Sequence, residues 1–147
     1  MIYFEELNAH NWLEICKLSV SEEQKKIFSV LNVYWIGISR YEEKSTLFAI
    51  KSEHLFVGLI GLGYDEDGVS GFINPLMIDE RYQGKGYSSE AMKLAIEYLK
   101  VQLNVSVIHH GHRKHNRIAA HLYEKFGFVI YGEDENDYFR ELVINRQ

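Results

Sequence analysis

The sequence has only one cysteine and one proline among its 147 residues, and it contains no long apolar run. A single cysteine, Cys16, excludes a disulfide within the chain and is typical of a reducing compartment, so a cytoplasmic location is expected. No apolar run approaches the ~20 residues of a membrane-spanning helix, and residues 1–10 lack the features of a signal peptide. We therefore expect no membrane partner. The apolar neighbours of Cys16 follow a helical pattern, which predicts a buried, unreactive thiol.

Basic residues are the minority among the charges, since 16 Lys and Arg against 21 Asp and Glu give a formal charge of −5. They are scattered without the stripe or arm that binds nucleic acid, so no nucleic-acid partner is expected. The acidic excess fits either solubility or attraction of a cationic ligand. The histidines at 109, 110 and 112 lack a carboxylate partner at a recognisable ligand spacing, so no metal site is predicted.

The hydrophobic pattern predicts alternating strands and helices with no repeat or linker, which indicates a single domain over residues 1–147. The capping-box sequence of residues 21–24 predicts the start of a second helix, and helical spacing weakens from Val33 onward. The element order indicates an α/β domain with a mixed sheet and helices on both faces. The predicted strands are residues 2–5, 46–50, 54–62, 71–78, 105–110, 129–131 and 138–144. The other predicted helices begin near Asn11 and span residues 90–100 and 118–126.

A glycine-rich segment, Arg81-Tyr82-Gln83-Gly84-Lys85-Gly86-Tyr87-Ser88, follows a predicted strand and opens a predicted helix. Glycines allow the backbone to approach a ligand closely, and free N–H groups at a helix start bind pyrophosphate. The side chains of Arg81 and Lys85 can add charge-assisted contacts. The segment is not a Walker loop, because a Ser or Thr after Gly-Lys is missing. By itself the segment fits either a phosphate-binding turn or a plain strand-to-helix turn.

A second motif begins at Asn116, continues as the predicted helix that contains Tyr123, and ends in Gly127-Phe128. Asn116 and Tyr123 are seven residues apart, about two helical turns, so both side chains can face the same slot. The helix alone favours Tyr123 as an ordinary core residue.

The loop Arg81-x-x-Gly84-x-Gly86, the segment 116–128 and the order of the elements resemble the GNAT acetyltransferase superfamily over essentially the whole chain. The resemblance implies a mixed, mostly antiparallel sheet whose fourth and fifth strands splay apart, with a bulge that Pro75 also supports. It implies acetyl-CoA as co-substrate, direct transfer and no metal. Tyr123 would protonate the departing thiolate. The implied acetyl-CoA-binding residues are Met77, Ile78, Arg81, Gln83, Gly84, Lys85, Gly86, Tyr87, Ser88 and Asn116.

The general base is left open by the sequence. Many GNAT proteins carry Glu or Asp four residues before the position of Ile78, where this chain has Asn74. The remaining candidates are a water chain, Glu66, Asp67 and the histidines at 109, 110 and 112, which can titrate near neutrality. Strand alternation places histidines 110 and 112 on one face of the sheet and histidine 109 on the other.

Residues 18–24 and 77–86 resemble the bacterial spermine/spermidine acetyltransferase branch, which implies a polyamine as the amine substrate. Tyr34, Trp35 and Tyr41 could line an amine channel by cation–π contact, and the acidic turns 65–67 and 133–137 could attract a polycation. The alternatives are acetylation of a protein amine or an aminoglycoside-like amine, or a non-catalytic acetyl-CoA sensor. Asn74, in place of an acidic residue, favours the sensor. The resemblance also allows a homodimer formed through the final strands.

Overall fold

A single seven-stranded sheet organises the computed structural model, which describes residues 1–26 and 31–144. The strand order is β1-β2-β3-β4-β5-β7-β6, and β4–β5 is the only parallel pair in the described sheet. The predicted α/β class and the mixed sheet are confirmed. The strands are β1 (Tyr3–Glu6), β2 (Ser45–Ser52), β3 (Leu55–Tyr64), β4 (Ser70–Ile78), β5 (Val107–Arg113), β6 (Val129–Glu133) and β7 (Asp137–Val143).

Helices pack on both faces of this sheet. The helices are α1 (Trp12–Cys16), α2 (Asn32–Tyr41), α3 (Tyr87–Val101) and α4 (Arg117–Lys125), with short 3-10 helices at Gln24–Lys26 and Glu80–Tyr82. Side chains alternate between the two faces along β2. Phe48 and Ile50 join the core beneath α3, whereas Leu47 and Ala49 pack with Ile15 of α1 on the opposite face. No helix of the described part of the chain combines the length and apolar character needed to cross a membrane.

The region between the first two helices differs from the sequence-based expectation. Ser21 and Gln24 form the predicted reciprocal capping box, with both bonds at 3.3 Å. It precedes the 3-10 turn Gln24–Lys26, and the predicted helix continues onto residues 27–30, which lie outside the described part. The sequence spacing that weakens through Val33, Ile36 and Ile38 nevertheless belongs to a helix, α2, which ends at Tyr41. Packing of Trp35 and neighbouring residues against the sheet stabilises this helix, although its own sequence pattern is weak.

Cys16 is exposed, so the prediction of a buried thiol is wrong. Helix α1 has only five residues, and the one side chain it buries is Ile15. A helix of little more than one turn can direct only one narrow face at the sheet, which leaves the residue after Ile15 on the solvent side.

A bulge in β4 confirms the predicted irregularity at Pro75. Ile60 pairs with Leu76 and Leu62 pairs with Ile73, so β4 has one more residue than β3 between these pairs. Gly61 lies opposite the bulge, where a Cβ atom would be 2.3 Å from the carbonyl oxygen of Asn74. Only glycine allows β3 to approach the bulged backbone this closely.

The pairing of β4 with β5 stops early. Ser70, Gly71 and Phe72 pair with residues 107–109, and no further pairs follow between these two strands. The bulged half of β4 therefore diverges from β5 and opens a gap in the middle of the sheet.

Candidate active site

A cleft of about 1020 Å³ opens where β4 and β5 diverge, and residues from both faces of the sheet line it. On one face, here named the α4 side, its wall contains Asn116, Tyr123 and the even-numbered histidines of β5. On the other, the α2 side, the wall contains Trp35, Phe72 and His109. The gap in the sheet thus connects two chemically different surfaces.

The glycine segment forms one end of the cleft. Gly84 and Gly86 have left-handed φ angles of 78° and 84°, and no atom lies within 4 Å of the place where a Cβ would be. Gly86 is the N-cap of α3, so the first N–H groups of that helix are free of intrahelical partners. The open loop and the helix N-terminus together provide a surface suited to an anion.

A buried aspartate anchors this loop. Asp79 is 2% exposed and accepts hydrogen bonds from the Ser19 N–H at 2.9 Å and from the Arg81 backbone and Nε at 3.0 and 2.8 Å. Burial opposes its ionisation, but the hydrogen bonds from Arg81 and Ser19 prevail and hold the pKa of Asp79 below its usual value. The Gln24 and Gln83 side-chain amides bond to each other at 2.9–3.0 Å. The segment before α2 is therefore tied to the loop.

Most of the residues predicted to bind acetyl-CoA meet in this cleft. Arg81 and Lys85 do not form part of its wall, and the guanidinium of Arg81 is paired with Asp79. Their contact with a phosphate stays a prediction. The predicted residues in the wall are Met77, Ile78, Gln83, Gly84, Gly86, Tyr87, Ser88 and Asn116.

Tyr123 is buried in the wall on the α4 side, at 2% exposure. Its ring stacks on that of His110 with a centroid distance of 4.2 Å and meets Phe128 edge-on at 5.3 Å. Burial raises the pKa of the Tyr123 hydroxyl well above its ordinary value of 10. A phenol in this position stays protonated at neutral pH and can donate a proton.

Asn116 is the N-cap of α4, and its side-chain oxygen accepts the Ala119 N–H at 3.1 Å. This bond explains why the helix begins there. It also leaves the amide N–H₂ of Asn116 available at the cleft wall.

Sequence reasoning missed a buried arginine behind Tyr123. Arg140 is 4% exposed and donates to His112 Nε2 at 2.8 Å, while His112 Nδ1 donates to the Arg113 carbonyl at 2.9 Å. Both nitrogens of His112 are therefore engaged. Arg140 also donates to the Phe128 carbonyl at 3.3 Å and to Glu124 Oε1 at 3.1 Å. No sequence signal distinguishes Arg140 from an exposed strand arginine, because its partners come from β5 and α4.

His110 and His112 lie on the same face, as strand alternation predicts, and both rings are parallel or nearly parallel to that of Tyr123. His110 Nδ1 donates a hydrogen bond to the Ile73 carbonyl, which can only accept. Burial lowers the pKa of His110 to about 4, and nearby His112 adds to this effect. His110 is consequently neutral at physiological pH.

The α2 side carries aromatic and acidic residues. A smaller pocket of about 260 Å³ adjoins the cleft and shares Trp35, Phe72 and Asn74 with it. Of the three aromatic residues predicted to line an amine channel, Trp35 lies in both walls, whereas Tyr34 and Tyr41 are exposed outside them. The acidic residues of the smaller pocket are Glu42, Asp65 and Glu66.

The two carboxylates considered as bases are already engaged. Asp67 accepts hydrogen bonds from the Ser70 hydroxyl at 2.6 Å and from two backbone N–H groups. The bonds from Ser70 and then Val69 lower the pKa of Asp67 to about 2, and the charge of His109 contributes. Glu66 forms an ion pair with Lys44 at 3.3 Å. Asp67 lies outside the wall of the cleft.

Residues 7–128 match the model of the acetyltransferase (GNAT) family. The chain belongs to this family. This GNAT protein is 38% identical over 72 residues to the spermine/spermidine N(1)-acetyltransferase of Bacillus subtilis, covering 48% of this chain and 47% of that protein. It is 38% identical over 64 residues to the spermidine N(1)-acetyltransferase of Escherichia coli K12, covering 44% and 34%. The matched parts thus span less than half of either relative.

Solved structures share the fold. The spermidine N-acetyltransferase of Vibrio cholerae, in complex with CoA and spermine, aligns with a TM-score of 0.81 at 18% identity, covering 97% of this GNAT protein and 95% of that chain. The Campylobacter jejuni N-acetyltransferase PseH, in complex with acetyl coenzyme A, aligns with a TM-score of 0.75 at 20% identity, covering 99% and 100%. At these identities the likeness establishes the shared fold, including the mixed sheet.

The lowered pKa of His110 predicts a pH-dependent stability. In the folded protein His110 takes up a proton only near pH 4, whereas an unfolded histidine does so near pH 6.5. The unfolded chain therefore binds more protons between these values, and the free energy of unfolding should fall as the pH is lowered from about 6.5 to 4. His110→Asn keeps an N–H donor and should reduce this slope. Denaturant unfolding at several pH values measures it.

Substitution of an exposed histidine, His10→Asn, provides the matched control, since it removes one imidazole outside the cleft. A slope that is identical in His110→Asn and in the control would show that His110 is not kept neutral by the fold.

Proposed function

We propose that this protein transfers the acetyl group of acetyl-CoA directly to a primary amine, with spermine or spermidine as the preferred acceptor, and that residues 1–147 form a single acetyltransferase domain. The observation that carries the proposal is the position of Tyr123. Its protonated phenol lies in the wall of a cleft that begins at the open glycine loop and passes through the gap between β4 and β5.

The residues present suit acetyl-CoA. The space above Gly84 and Gly86 and the free N–H groups at the start of α3 fit a pyrophosphate. The diverging end of β4 has main-chain groups that lack partners on β5, and these could pair with the amide groups of the pantetheine arm. Asn116 stands near the same wall with its N–H₂ group available.

In the proposed reaction the amine nitrogen attacks the thioester carbonyl, an N–C bond forms and the C–S bond breaks. The departing sulfur takes the proton of the Tyr123 hydroxyl, and the nitrogen loses one proton to a base. Burial raises the pKa of Tyr123, so the phenol holds its proton at neutral pH, and a positioned phenol can give the departing sulfur a proton or a hydrogen bond. Among the described residues, Cys16 is the one thiol, and it does not line the cleft, which fits direct transfer without an acylated enzyme.

A polyamine suits the α2 side. Trp35 offers an aromatic face to an ammonium group, and the adjoining pocket has three acidic residues against one lysine, Lys44, which pairs with Glu66. The partial sequence similarity to spermine and spermidine acetyltransferases supports the same substrate class. A protein amine or an aminoglycoside-like amine is the alternative acceptor. Asn74 in the cleft wall favours a second function, a sensor that binds acetyl-CoA without transfer.

Thiol release from acetyl-CoA tests the proposal. We expect release, followed with a disulfide dye, that depends on spermine or spermidine and is much weaker with putrescine, lysine or an aminoglycoside. Release with only one of the latter amines would keep the transferase and discard the polyamine. Binding of acetyl-CoA without release for any amine would favour the sensor.

Tyr123→Phe tests the proton donor. We expect kcat to fall about 10–1000-fold because the leaving thiolate loses its acid, while the acetyl-CoA Kd, measured by calorimetry, barely changes. Tyr98→Phe is the control, since Tyr98 packs against the core outside the cleft. Equal rates for both variants would remove Tyr123 from the mechanism.

Gly86→Val tests the phosphate-binding loop. A branched side chain at a left-handed φ would both distort the loop and block the approach of phosphate to the backbone, so we expect acetyl-CoA binding to weaken at least tenfold. Gly68→Val imposes comparable strain, because Gly68 also has a positive φ of 75° and an open surrounding, but it lies outside the cleft wall. Unchanged affinity in Gly86→Val would contradict the assignment of the loop.

A further inference from the structure

His109 occupies the point where the sheet opens. It pairs with Phe72 in the last β4–β5 residue pair and lies in the cleft wall. Its ring packs against Tyr131 of β6 at a centroid distance of 5.2 Å. Its Nδ1 atom is buried and has no hydrogen-bond partner among the described residues. Buried nitrogen atoms are rarely left unpaired, so this imidazole is marked for a role that the packed residues around it do not explain.

Four other groups considered as bases are occupied or lack a basic atom. His112 uses both ring nitrogens within the protein. His110 donates through Nδ1 and faces the α4 side, where its ring covers Tyr123. Asp67 is held by three hydrogen bonds and stands outside the wall. The amide of Asn74 has no basic atom. His109 is the imidazole on the α2 side with an unpaired nitrogen.

Acidic and aromatic residues lie around the position of His109. Glu141 lies directly opposite it in the β5–β7 ladder, where side chains of paired residues are neighbours. Asp67 is close enough for the charges of the two residues to interact. Tyr131 packs against the ring at a tilted angle. His109 therefore stands on the acidic side of the gap, where a cationic amine would be attracted.

We infer that His109 is the general base of the transfer, an assignment that rests on the proposed function. As the amine nitrogen bonds to the thioester carbon, its N–H bond breaks and the proton passes to His109, directly or through one water. The C–S bond breaks, and the sulfur receives the Tyr123 proton. The proton on His109 then returns through water to the Tyr123 oxygen, so both groups are restored and the sum is amine plus acetyl-CoA giving amide plus CoA. The base and the acid act from opposite faces of the sheet.

Imidazole rescue tests this assignment. In His109→Ala we expect kcat/KM for spermidine to fall about 100-fold, with an unchanged acetyl-CoA Kd. Added imidazole should restore the rate at least tenfold, and the restoration should follow the free-base fraction of imidazole as pH rises. His54→Ala is the matched control, because His54 is exposed in the β2–β3 turn outside the cleft wall. It should keep the wild-type rate and show no response to imidazole.

Every result bears on the inference. A His109→Ala rate within threefold of wild type overturns it, and so does a large loss that imidazole does not restore, because a purely structural role gives that pattern. If His109→Ala is less thermostable than the wild type, His109→Gln is measured in its place, since it retains a polar side chain of similar length. An active His109→Gln enzyme also overturns the assignment. Wild-type protein that binds acetyl-CoA but acetylates no amine overturns the proposed function and the assignment together, whereas an active wild type isolates the role of His109.

Discussion

The backbone hydrogen bonds between β4 and β5 extend over only three residue pairs, and the site depends on this limit. The extra residue in β4 shifts its register against β3, which redirects the second half of the strand away from β5. Gly61 makes the shift possible by leaving room for the Asn74 carbonyl. A continuous ladder would have closed the sheet and separated Tyr123 from the aromatic residues around Trp35. Here the irregular backbone is the means by which one cavity reaches two faces.

The protonation states around the cleft follow from which side of the sheet a group occupies. On the α4 side, burial raises the pKa of Tyr123 and lowers that of His110 to about 4, so both groups are uncharged. On the α2 side, carboxylates stand near the cleft, and hydrogen bonds lower the pKa of Asp67 to about 2. Uncharged groups on one face and acidic residues on the other are therefore separated by a single layer of backbone.

Local patterns predicted much of this arrangement. The order of the elements, the Ser21–Gln24 capping box and the common face of His110 and His112 depend on neighbours within a few residues, so the sequence alone revealed them. The bulge at Pro75 was implied by the resemblance to the GNAT superfamily, and the strand proline supported it. Arg140 and Asp79 acquire their roles from partners 28 and 60 residues away, and no short pattern encodes such pairing. The length of α2 and the exposure of Cys16 were not foreseen for the same reason. Tertiary packing decides which face of a weak or short helix is covered.

The bonds from Ser19 to Asp79 and between the amides of Gln24 and Gln83 join two segments that are far apart in sequence. One segment leads into α2, and the other is the glycine loop. The Ser19 bond uses a backbone N–H, so it persists whatever side chain stands at position 19, unless proline removes the donor. The Gln24–Gln83 pair lies at the surface and depends on both side chains. The buried link between the two segments therefore tolerates sequence change, and the exposed link is the one that a substitution can break.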